Sequence, residues 1–378
     1  MRTAPTLRLL AAGLLTAGLA GCSGSATSDE EAGAGPVAVT AADAACEVAD
    51  TELDAGVATF AVKNEGTKVT EFYVYAEGDR IMGEVENIGP GLTRELRVEL
   101  AAGRYQTACK PGMLGKGIRG PLMVTGEAVK AVDTDTGLKQ ATTDYSRYVA
   151  SQSTALVEKT TEFVAAVKAG QIDRAKALFP VARTYWERIE PVAEIFGDLD
   201  PQIDGREADL EPGTPFTGYH RLEKDLWVTR NVSRSGPTAD KLLADVKKVV
   251  ALAAKTELTP LQLANGSKEL LDEVATGKIT GEEDIFSHTD LWDFRANVDG
   301  SKAAIAALRP VLVQRDPALV KTIDARFAAV DAALDKHVKG DGFKPYTALS
   351  KAEVRELAAT VDAVGEPISK VAAVVAKK

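Results

Sequence analysis

Two patterns of apolar and polar residues divide the chain. From about Cys46 to Thr125, short runs such as "VATFAVKN", "VTEFYVYAE" and "TRELRVEL" alternate apolar with polar residues and are separated by "EGT", "GPG" and "AAG". Alternation with a period of two, interrupted by turn residues, predicts strands joined by hairpins. Six or seven such strands in roughly eighty residues predict a small antiparallel β-sandwich.

The pattern changes to a helical spacing after "GEAVKAVDTDTG". Apolar residues between Tyr145 and Val167 recur three, four or seven positions apart until Gly170, which predicts one long amphipathic helix. Later segments carry helix start signals, with Thr259 before Pro260 and a capping box from Ser350 to Glu353. Residues 140–378 therefore predict an all-α domain of seven or more helices, for which two packed or fused bundles are the natural arrangement.

The amino-terminal segment has the features of an export signal. Arg2 and Arg8 precede the apolar run "LLAAGLLTAGLA", which is too short to span a bilayer, and "LAGC" ends the segment at Cys22. This pattern resembles a bacterial lipoprotein signal, cleaved before Cys22 and lipidated on its thiol, with an ordinary signal peptide as the alternative. The folded part is then expected outside the cytoplasm, in the periplasm or at the cell surface, held at the membrane by its lipid anchor alone.

These patterns give a predicted order of segments along the 378 residues. The predicted segments are a signal peptide (1–21), a flexible tether (22–42), the β-sandwich (43–126), a linker (127–139) and the helical domain (140–378).

Charge and cysteine content narrow the class of protein. The net charge of −10 argues against nucleic acid as a partner and fits a protein that handles cations. After export, the two remaining cysteines are Cys46 and Cys109. An oxidising compartment favours a disulfide between them, and a soft metal site that uses Cys109 is the alternative.

Acidic residues and one histidine concentrate in the first part of the helical domain. Glu187 and Glu190 are three apart and are expected on one helix face, and an acidic loop with Asp204 follows. His220 and Glu223 in "TGYHRLEKDLW" are also three apart on a predicted helix. Oxygen ligands with a single imidazole suit iron or manganese better than copper or structural zinc.

A simpler interpretation exists for each of these pairs. A histidine and a glutamate three apart are often only hydrogen-bonded, and acidic pairs are often a solvated face that pairs with Arg183 or Arg188. A third acid-rich segment, "TGEEDIFSHTDLWDFRANVDG", favours the metal site because it adds Glu283 and His288. His337, in "LDKHVKGDG", is predicted to be an exposed residue at a helix end.

Long motifs in the chain resemble a known family. "ERIEPVAEIFGDLDPQID", "TGYHRLEKDLW" and "SHTDLWDFRANVDG" resemble the imelysin-like domain of the EfeO branch of iron-uptake proteins. "EFYVYAEGDRIMGEVENIGPG" and "GRYQTACKPGM" resemble the cupredoxin-like domain of that branch. The resemblance implies a cupredoxin-like sandwich followed by an imelysin-like domain of two four-helix bundles.

The resemblance also implies a function and a set of ligands. The family's GxHxxE motif falls on Gly218, His220 and Glu223, with His220 and Glu223 as expected metal ligands. Its other pocket carboxylates are expected at Glu187, Glu190, Asp204 and Glu283. The resemblance implies capture of ferrous or ferric iron, with zinc, manganese and copper as alternative ions. The expected partners are a membrane iron permease and a secreted haem peroxidase of the dye-decolorising type.

The sandwich departs from the family it resembles. A blue-copper site needs two imidazoles, a cysteine and usually a methionine. No histidine occurs between residues 23 and 219, so the sequence excludes such a centre built from this domain alone. A weaker cation site that uses Glu71, Glu84, Glu86 or Met113 is the alternative to a purely structural sandwich.

Two other functions are alternatives to metal carriage. Imelysin-like proteins are named as peptidases, and a metal-dependent peptidase is the main alternative. The chain has no HExxH and no G-x-S-x-G motif, so the residues favour a non-catalytic carrier. A binder of acidic polysaccharide would need a basic groove, and the helices show no concentrated basic stretch.

Overall fold

The computed structural model describes residues 35–127, 130–210 and 213–377. The predicted signal peptide, Cys22 and the tether up to residue 34 lie outside these residues. The prediction that the tether extends to residue 42 is wrong, because Val37–Ala42 forms the first strand and buries Val39 and Ala41. The predicted linker also ends early, since a helix begins at Thr136 with Asp135 as its cap.

Nine strands form the amino-terminal part of the described chain. They are β1 (Val37–Ala42), β2 (Ala45–Val48), β3 (Glu52–Asp54), β4 (Gly56–Asn64), β5 (Thr70–Ala76), β6 (Arg80–Ile88), β7 (Thr93–Leu100), β8 (Gly103–Cys109) and β9 (Ile118–Thr125). Their order is β2-β1-β4-β7 in one sheet and β3-β9-β8-β5-β6 in the other. The sandwich is confirmed, but not as purely antiparallel, because β1 pairs with β4 and β3 with β9 in parallel. Short strands such as β2 and β3 carry too few residues for a visible alternation.

The two sheets are joined by apolar packing and by one covalent bond. Phe60 on β4 and Phe72 on β5 come from opposite sheets, and their ring centroids lie 5.3 Å apart. Cys46 on β2 and Cys109 on β8 form a disulfide between the sheets, with an S–S distance of 2.00 Å. A thiolate at Cys109 is therefore absent, and the soft metal site considered for this residue is wrong.

Helices make up most of the carboxyl-terminal part. They are α1 (Ala131–Thr134), α2 (Thr136–Lys168), α3 (Ile172–Glu187), α4 (Glu190–Ala193), α5 (Asp200–Ile203), α6 (Gly218–Lys224), α7 (Gly236–Ala253), α8 (Pro260–Thr276), α9 (Asp290–Arg315), α10 (Pro317–Asp335), α11 (Lys351–Ile368) and α12 (Val371–Val375). A short hairpin follows α10, and each of its strands, β10 (Val338–Lys339) and β11 (Gly342–Phe343), has two residues. The predicted capping box at Ser350 is formed, and the predicted cap at Thr259 forms a capping box as well, with Gln262.

The long helices form two groups that share α9. On one side α9 packs against α2 and α3, and α2 also packs against α7. On the other side α9 packs against α8 and α10, and α11 completes this group. The sandwich contacts α8, where Arg94 Nη1 lies 3.1 Å from Asp272 Oδ2 and Asn265 Nδ2 donates to the carbonyl of Arg97 at 2.9 Å. Among the described residues, the helices are all too short or too polar to cross a membrane.

Candidate metal centre

A break in the helix places the first two predicted carboxylates. α3 ends at Glu187 and α4 begins at Glu190, so the expectation that both lie on one continuous helix is wrong. Pro191 occupies the first turn of α4, where its missing N–H costs nothing. The two carboxylates still converge, because Asn297 Nδ2 donates to Glu187 Oε2 at 3.0 Å and to Glu190 Oε2 at 3.1 Å.

The glycine of the GxHxxE motif brings two other predicted residues together. Gly218 has φ +80°, and a Cβ there would lie 2.1 Å from the carbonyl oxygen of Ile203. Only glycine allows this approach of α6 to the end of α5. Asp204 follows α5 directly, so the acidic stretch is a helical turn rather than the predicted loop. Its Oδ1 lies 3.6 Å from His220 Nε2.

Three of the predicted ligands form one group of facing atoms. His220 Nε2 lies 3.6 Å from Asp204 Oδ1 and 3.4 Å from Glu283 Oε1. All three ligand atoms lie within 4.8 Å of one another. The side chains keep only a small contact with solvent, with 8% of Asp204, 2% of His220 and 6% of Glu283 exposed. We call these three residues the His220 triad.

Glu223 contacts the imidazole at Nδ1, the ring nitrogen that does not face the other two triad residues. His220 Nδ1 lies 2.9 Å from Glu223 Oε2, and Glu223 Oε1 accepts the backbone N–H groups of Phe286 at 3.0 Å and Ser287 at 2.6 Å. A carboxylate that receives the second ring nitrogen of a metal-binding histidine fixes the tautomer and orientation of the ring. In this arrangement Glu223 orients His220, and its predicted role as a ligand stays a prediction.

A buried arginine contacts all three residues of the triad, and the sequence does not predict this position. Arg183 Nη1 donates to Asp204 and lies 2.9 Å from His220 Nε2, and Nη2 donates to Glu283 Oε1 at 2.8 Å. Nη2 also donates to Glu187, one helical turn along α3. The sequence shows this pair only as an ordinary i, i+4 spacing, which is more typical of a solvated face.

Carboxylates outnumber cations in this region. Five carboxylates surround Arg183 and three surround the buried Lys278, with Glu187 common to both groups, so seven acidic side chains share two buried cations. The partly exposed Arg206 adds a third cation, with Nη1 at 3.7 Å from Glu283 Oε2. The five around Arg183 are Glu187, Asp204, Glu283, Asp284 and Asp293, and the three around Lys278 are Glu187, Glu190 and Glu273. Lys278 has no distinctive sequence signal, because it lies in the short turn "GKIT" after α8.

Hydrogen-bond geometry decides the protonation state of His220. Arg183 Nη1 can only donate, so Nε2 at 2.9 Å must hold a lone pair, and the proton lies on Nδ1 facing Glu223. Burial is the largest effect on the pKa of His220 and lowers it, as does Arg183, but the neighbouring carboxylates together raise the pKa to about 10. A pKa of about 10 corresponds to a charged ring at neutral pH, whereas the contact between Arg183 Nη1 and Nε2 requires a neutral one. The contact decides between these two forms, because Arg183 cannot accept a hydrogen bond. The neutral ring is the form that binds metals.

Burial shifts the pKa values of the surrounding carboxyls upward. It raises the pKa of Asp204 to about 6 and that of Asp284 to about 8, against the opposing effect of Arg183. Burial raises the pKa of Glu190 and of Asp293 well above the usual range. Glu283 is the exception, because Lys278 and Arg183 lower its pKa well below normal in spite of burial. The arrangement is short of positive charge, and a multivalent cation would relieve that shortage.

The other two histidines lie apart from the triad. His288 adopts φ +60° beside the start of α9, and its carbonyl accepts the N–H of Tyr346 at 2.9 Å. His337 is only 3% exposed, so the prediction of an exposed residue is wrong. It is enclosed where the hairpin folds back after α10, and its Nδ1 lies 3.8 Å from Glu353 Oε1.

The four sandwich residues predicted as a weak cation site do not form one cluster, although Glu84 and Glu86 line a common cavity. Tyr73 Oη lies 3.1 Å from Glu71 Oε2 and 3.0 Å from Glu86 Oε1, and we call these three residues the Tyr73 cluster. Glu84 instead faces Glu194 and Glu269 of the helical part, with carboxylate oxygens within 4.8 Å of one another. Met113 lies in a turn and is 42% exposed. A cavity of about 270 Å³, lined in part by Glu84 and Glu194, separates the sandwich from the helices here.

Comparison with known proteins relates both parts of the chain to described families. The imelysin family model matches residues 141–371, and the cupredoxin-like domain model matches residues 11–124. The chain is 39% identical to the iron uptake system component EfeO of Escherichia coli O157:H7 over 340 residues, covering 88% of this chain and 90% of the relative. It is 38% identical, with the same coverage, to the proteins of that name from Escherichia coli K12 and Shigella flexneri.

Proposed function

Because the chain belongs to the imelysin family, as an EfeO-type protein with a cupredoxin-like domain in front, we propose that it captures iron outside the cytoplasmic membrane and delivers it to a membrane permease. The observation that carries this proposal is the His220 triad, in which one imidazole nitrogen and two carboxylate oxygens face one another within 4.8 Å. Oxygen-rich sets with one imidazole suit iron.

The surplus of acidic side chains supports cation binding at this place. Asp284 Oδ1 and both carboxylate oxygens of Asp293 are buried without a hydrogen-bond partner. A buried carboxylate without a partner is costly, and additional positive charge nearby lowers that cost. The residues present therefore fit an iron ion, with Asp204, His220 and Glu283 as its first ligands and Glu187 and Glu190 available beside them.

The chemistry of the site is suited to carriage. The neutral imidazole presents a lone pair on Nε2, Glu223 keeps the ring in that tautomer, and the carboxylates supply charge. We propose that the same system contains a membrane iron permease and a dye-decolorising haem peroxidase, and that the chain reaches the membrane through lipid on Cys22. The cupredoxin-like domain is proposed to dock partners or to bind a cation weakly through Glu71, Glu84, Glu86 or Met113.

Calorimetric titration of the purified chain with ferrous iron, without oxygen, tests the proposal, and ferric citrate serves as a second titrant. We expect micromolar or tighter binding. His220→Ala is expected to weaken binding by more than about a hundredfold, and Glu223→Gln by about ten- to a hundredfold, as for a group that orients a ligand. The matched control is His337→Ala, which removes a buried imidazole elsewhere.

Two outcomes would contradict the carrier. Equal affinity in the wild type and in a folded His220→Ala variant would remove the site. Iron-dependent cleavage of a peptide library, lost in the same variant, would favour the peptidase instead.

A further inference from the structure

Arg183 lies between two sets of acidic side chains. The first set is the His220 triad, and the second is Asp284 with Asp293. The Nη1 and Nη2 atoms of Arg183 are bound to the His220 triad, whose residues keep a small exposure to solvent. Its Nε atom points the other way, 3.5 Å from Asp284 Oδ1 and 3.5 Å from Asp293 Oδ1. Nε and these oxygens are buried and have no hydrogen-bond partner.

The first set leaves little room for a metal while the guanidinium is present. Asp204 Oδ1, His220 Nε2 and Glu283 Oε1 are the atoms that would bind iron, and each of them already contacts Arg183. Two positive charges at the same three ligand atoms would repel each other strongly in a buried setting. Iron and the present position of the guanidinium therefore exclude each other.

The second set offers the guanidinium an alternative position. Asp293 is fully buried on α9, and both of its carboxylate oxygens lack a hydrogen-bond partner. A guanidinium binds carboxylates best through two parallel N–H groups, and a small shift of the Arg183 head would supply them. Since 3.5 Å is too long for a hydrogen bond, the present structure leaves these partners available.

We propose that Arg183 is an exchangeable counter-ion: it neutralises the His220 triad in the metal-free protein, and it transfers to Asp284 and Asp293 when iron takes the triad. This inference rests on the proposed function. The exchange keeps the buried charge compensated in both states, and it lowers iron affinity by the cost of moving the guanidinium. Arg183 thereby sets how readily iron leaves the carrier.

A double-mutant cycle on iron affinity tests the exchange. Asp293→Asn removes the second partner, so we expect weaker ferrous iron binding by about tenfold when Arg183 is present, and little effect in Arg183→Gln. Arg183→Gln alone is expected to bind iron more tightly than the wild type. The matched control cycle uses Arg188→Gln and Asp299→Asn. This pair is partly exposed, lies 2.9 Å apart outside the triad, and is expected to leave affinity unchanged.

Simple electrostatics predicts a different result. If Asp293 acted only through its charge, Asp293→Asn would weaken iron binding equally in both backgrounds, and this outcome would overturn the exchange. Loss of binding in a folded Arg183→Gln variant would overturn it as well. Failure of the wild type to bind iron would instead remove the proposed function, so the two failures are distinguishable.

A measurement on the wild type follows the Arg183 side chain directly, and a variant is needed only to assign its resonance. With Zn²⁺ as a diamagnetic ion, the ¹⁵N–¹H resonance of the Arg183 Nε group is expected to move downfield as Nε gains a carboxylate partner. Arg183→Lys assigns the resonance by its disappearance. A resonance that stays in place at saturating Zn²⁺ would overturn the exchange.

Discussion

Two clusters of carboxylates in this chain are compensated for their burial in different ways. Around the His220 triad, buried acidic groups are compensated by two buried cations, Arg183 and Lys278. In the Tyr73 cluster, Glu71 and Glu86 share one phenol, and Lys110 Nζ remains 3.8 Å from Glu71 Oε2. Burial raises the pKa of Glu86 to about 8, so this carboxyl can keep its proton and donate it to the phenol oxygen.

The comparison shows why acidic content alone does not define a metal site. Protonation can satisfy the Tyr73 cluster, since its carboxyls can bind protons and hydrogen-bond to Tyr73. The triad has an imidazole in a fixed tautomer and a positive charge that can be replaced by another. These two properties, rather than the number of carboxylates, distinguish the better candidate for iron.

Removal of Lys278 should have the largest effect on stability. Lys278→Met leaves Glu187, Glu190 and Glu273 without their shared cation, and breaking such a buried pair costs about 3–5 kcal/mol in free energy of unfolding. Urea unfolding followed by fluorescence measures it, because all three tryptophans lie in the helical part. The exposed pair Lys370–Glu366 supplies the control, Lys370→Met, which should change stability little. Equal stability of Lys278→Met and wild type would mean that protonation alone compensates these carboxyls.

Loss of the disulfide should destabilise the other region by a somewhat smaller amount. Replacing Cys46 and Cys109 by serine releases a loop with a sequence separation of 63 residues, for which about 2–4 kcal/mol is typical. Far-ultraviolet circular dichroism during urea unfolding measures the change. Iron affinity should be retained, because the triad lies in the helical part. A parallel loss of affinity would show that the two regions are not independent.

The pH dependence should follow the raised pKa values of the buried carboxyls. Burial raises the pKa of Asp200 and of Asp284 to about 8 from 3.8, so between these values the folded protein holds protons that the unfolded chain has lost. The metal-free protein should therefore lose stability as pH rises from about 4 to 8. Glu283, with a lowered pKa, adds stability that is lost only at more acidic pH.

Thermal unfolding of the metal-free protein at pH 5 and pH 8 measures this dependence. The melting temperature should be several degrees higher at pH 5, and bound iron should reduce the difference by replacing protons. A higher melting temperature at pH 8 without metal would contradict this sign.

The smallest effect is expected at the Tyr73 cluster. Tyr73→Phe removes the hydroxyl between Glu71 and Glu86, and loss of such hydrogen bonds costs about 0.5–1.5 kcal/mol. Iron affinity at the triad should not change. Weaker iron binding in this variant, measured by the same titration, would assign the sandwich a larger role than a structural one.

Pattern was sufficient to predict the sandwich and the helical part, and the resemblance to a family pointed to the residues of the triad as a metal site, which stays a prediction. Alternation identifies strands such as β4 and β7 because each buries one face, and the GxHxxE spacing places His220 and Glu223 on one side of a helix turn. Short or parallel-paired strands such as β2 and β3 were missed, because four or three residues contain no measurable period.

The charges opposite the triad could not be predicted in the same way. Arg183 and Lys278 have no motif, and basic residues are usually exposed, so composition favours a solvated position for both. Their burial follows from tertiary contacts with residues as distant as Glu283 and Asn297, which a local pattern does not contain. The break between Glu187 and Glu190 was hidden for a similar reason, since a proline in a first turn also fits a continuous helix with a kink.

Gly218 has a consequence for anyone who would transplant this site into another scaffold. Its missing side chain is the clearance that allows α6 to meet the carbonyl of Ile203, and that approach brings Asp204 beside His220. A designer who copied only the histidine and the two carboxylates onto a ready-made helix would hold the ligands too far apart. The motif therefore contains a steric requirement as well as two chemical groups. The glycine meets that requirement, and a list of metal ligands would omit it.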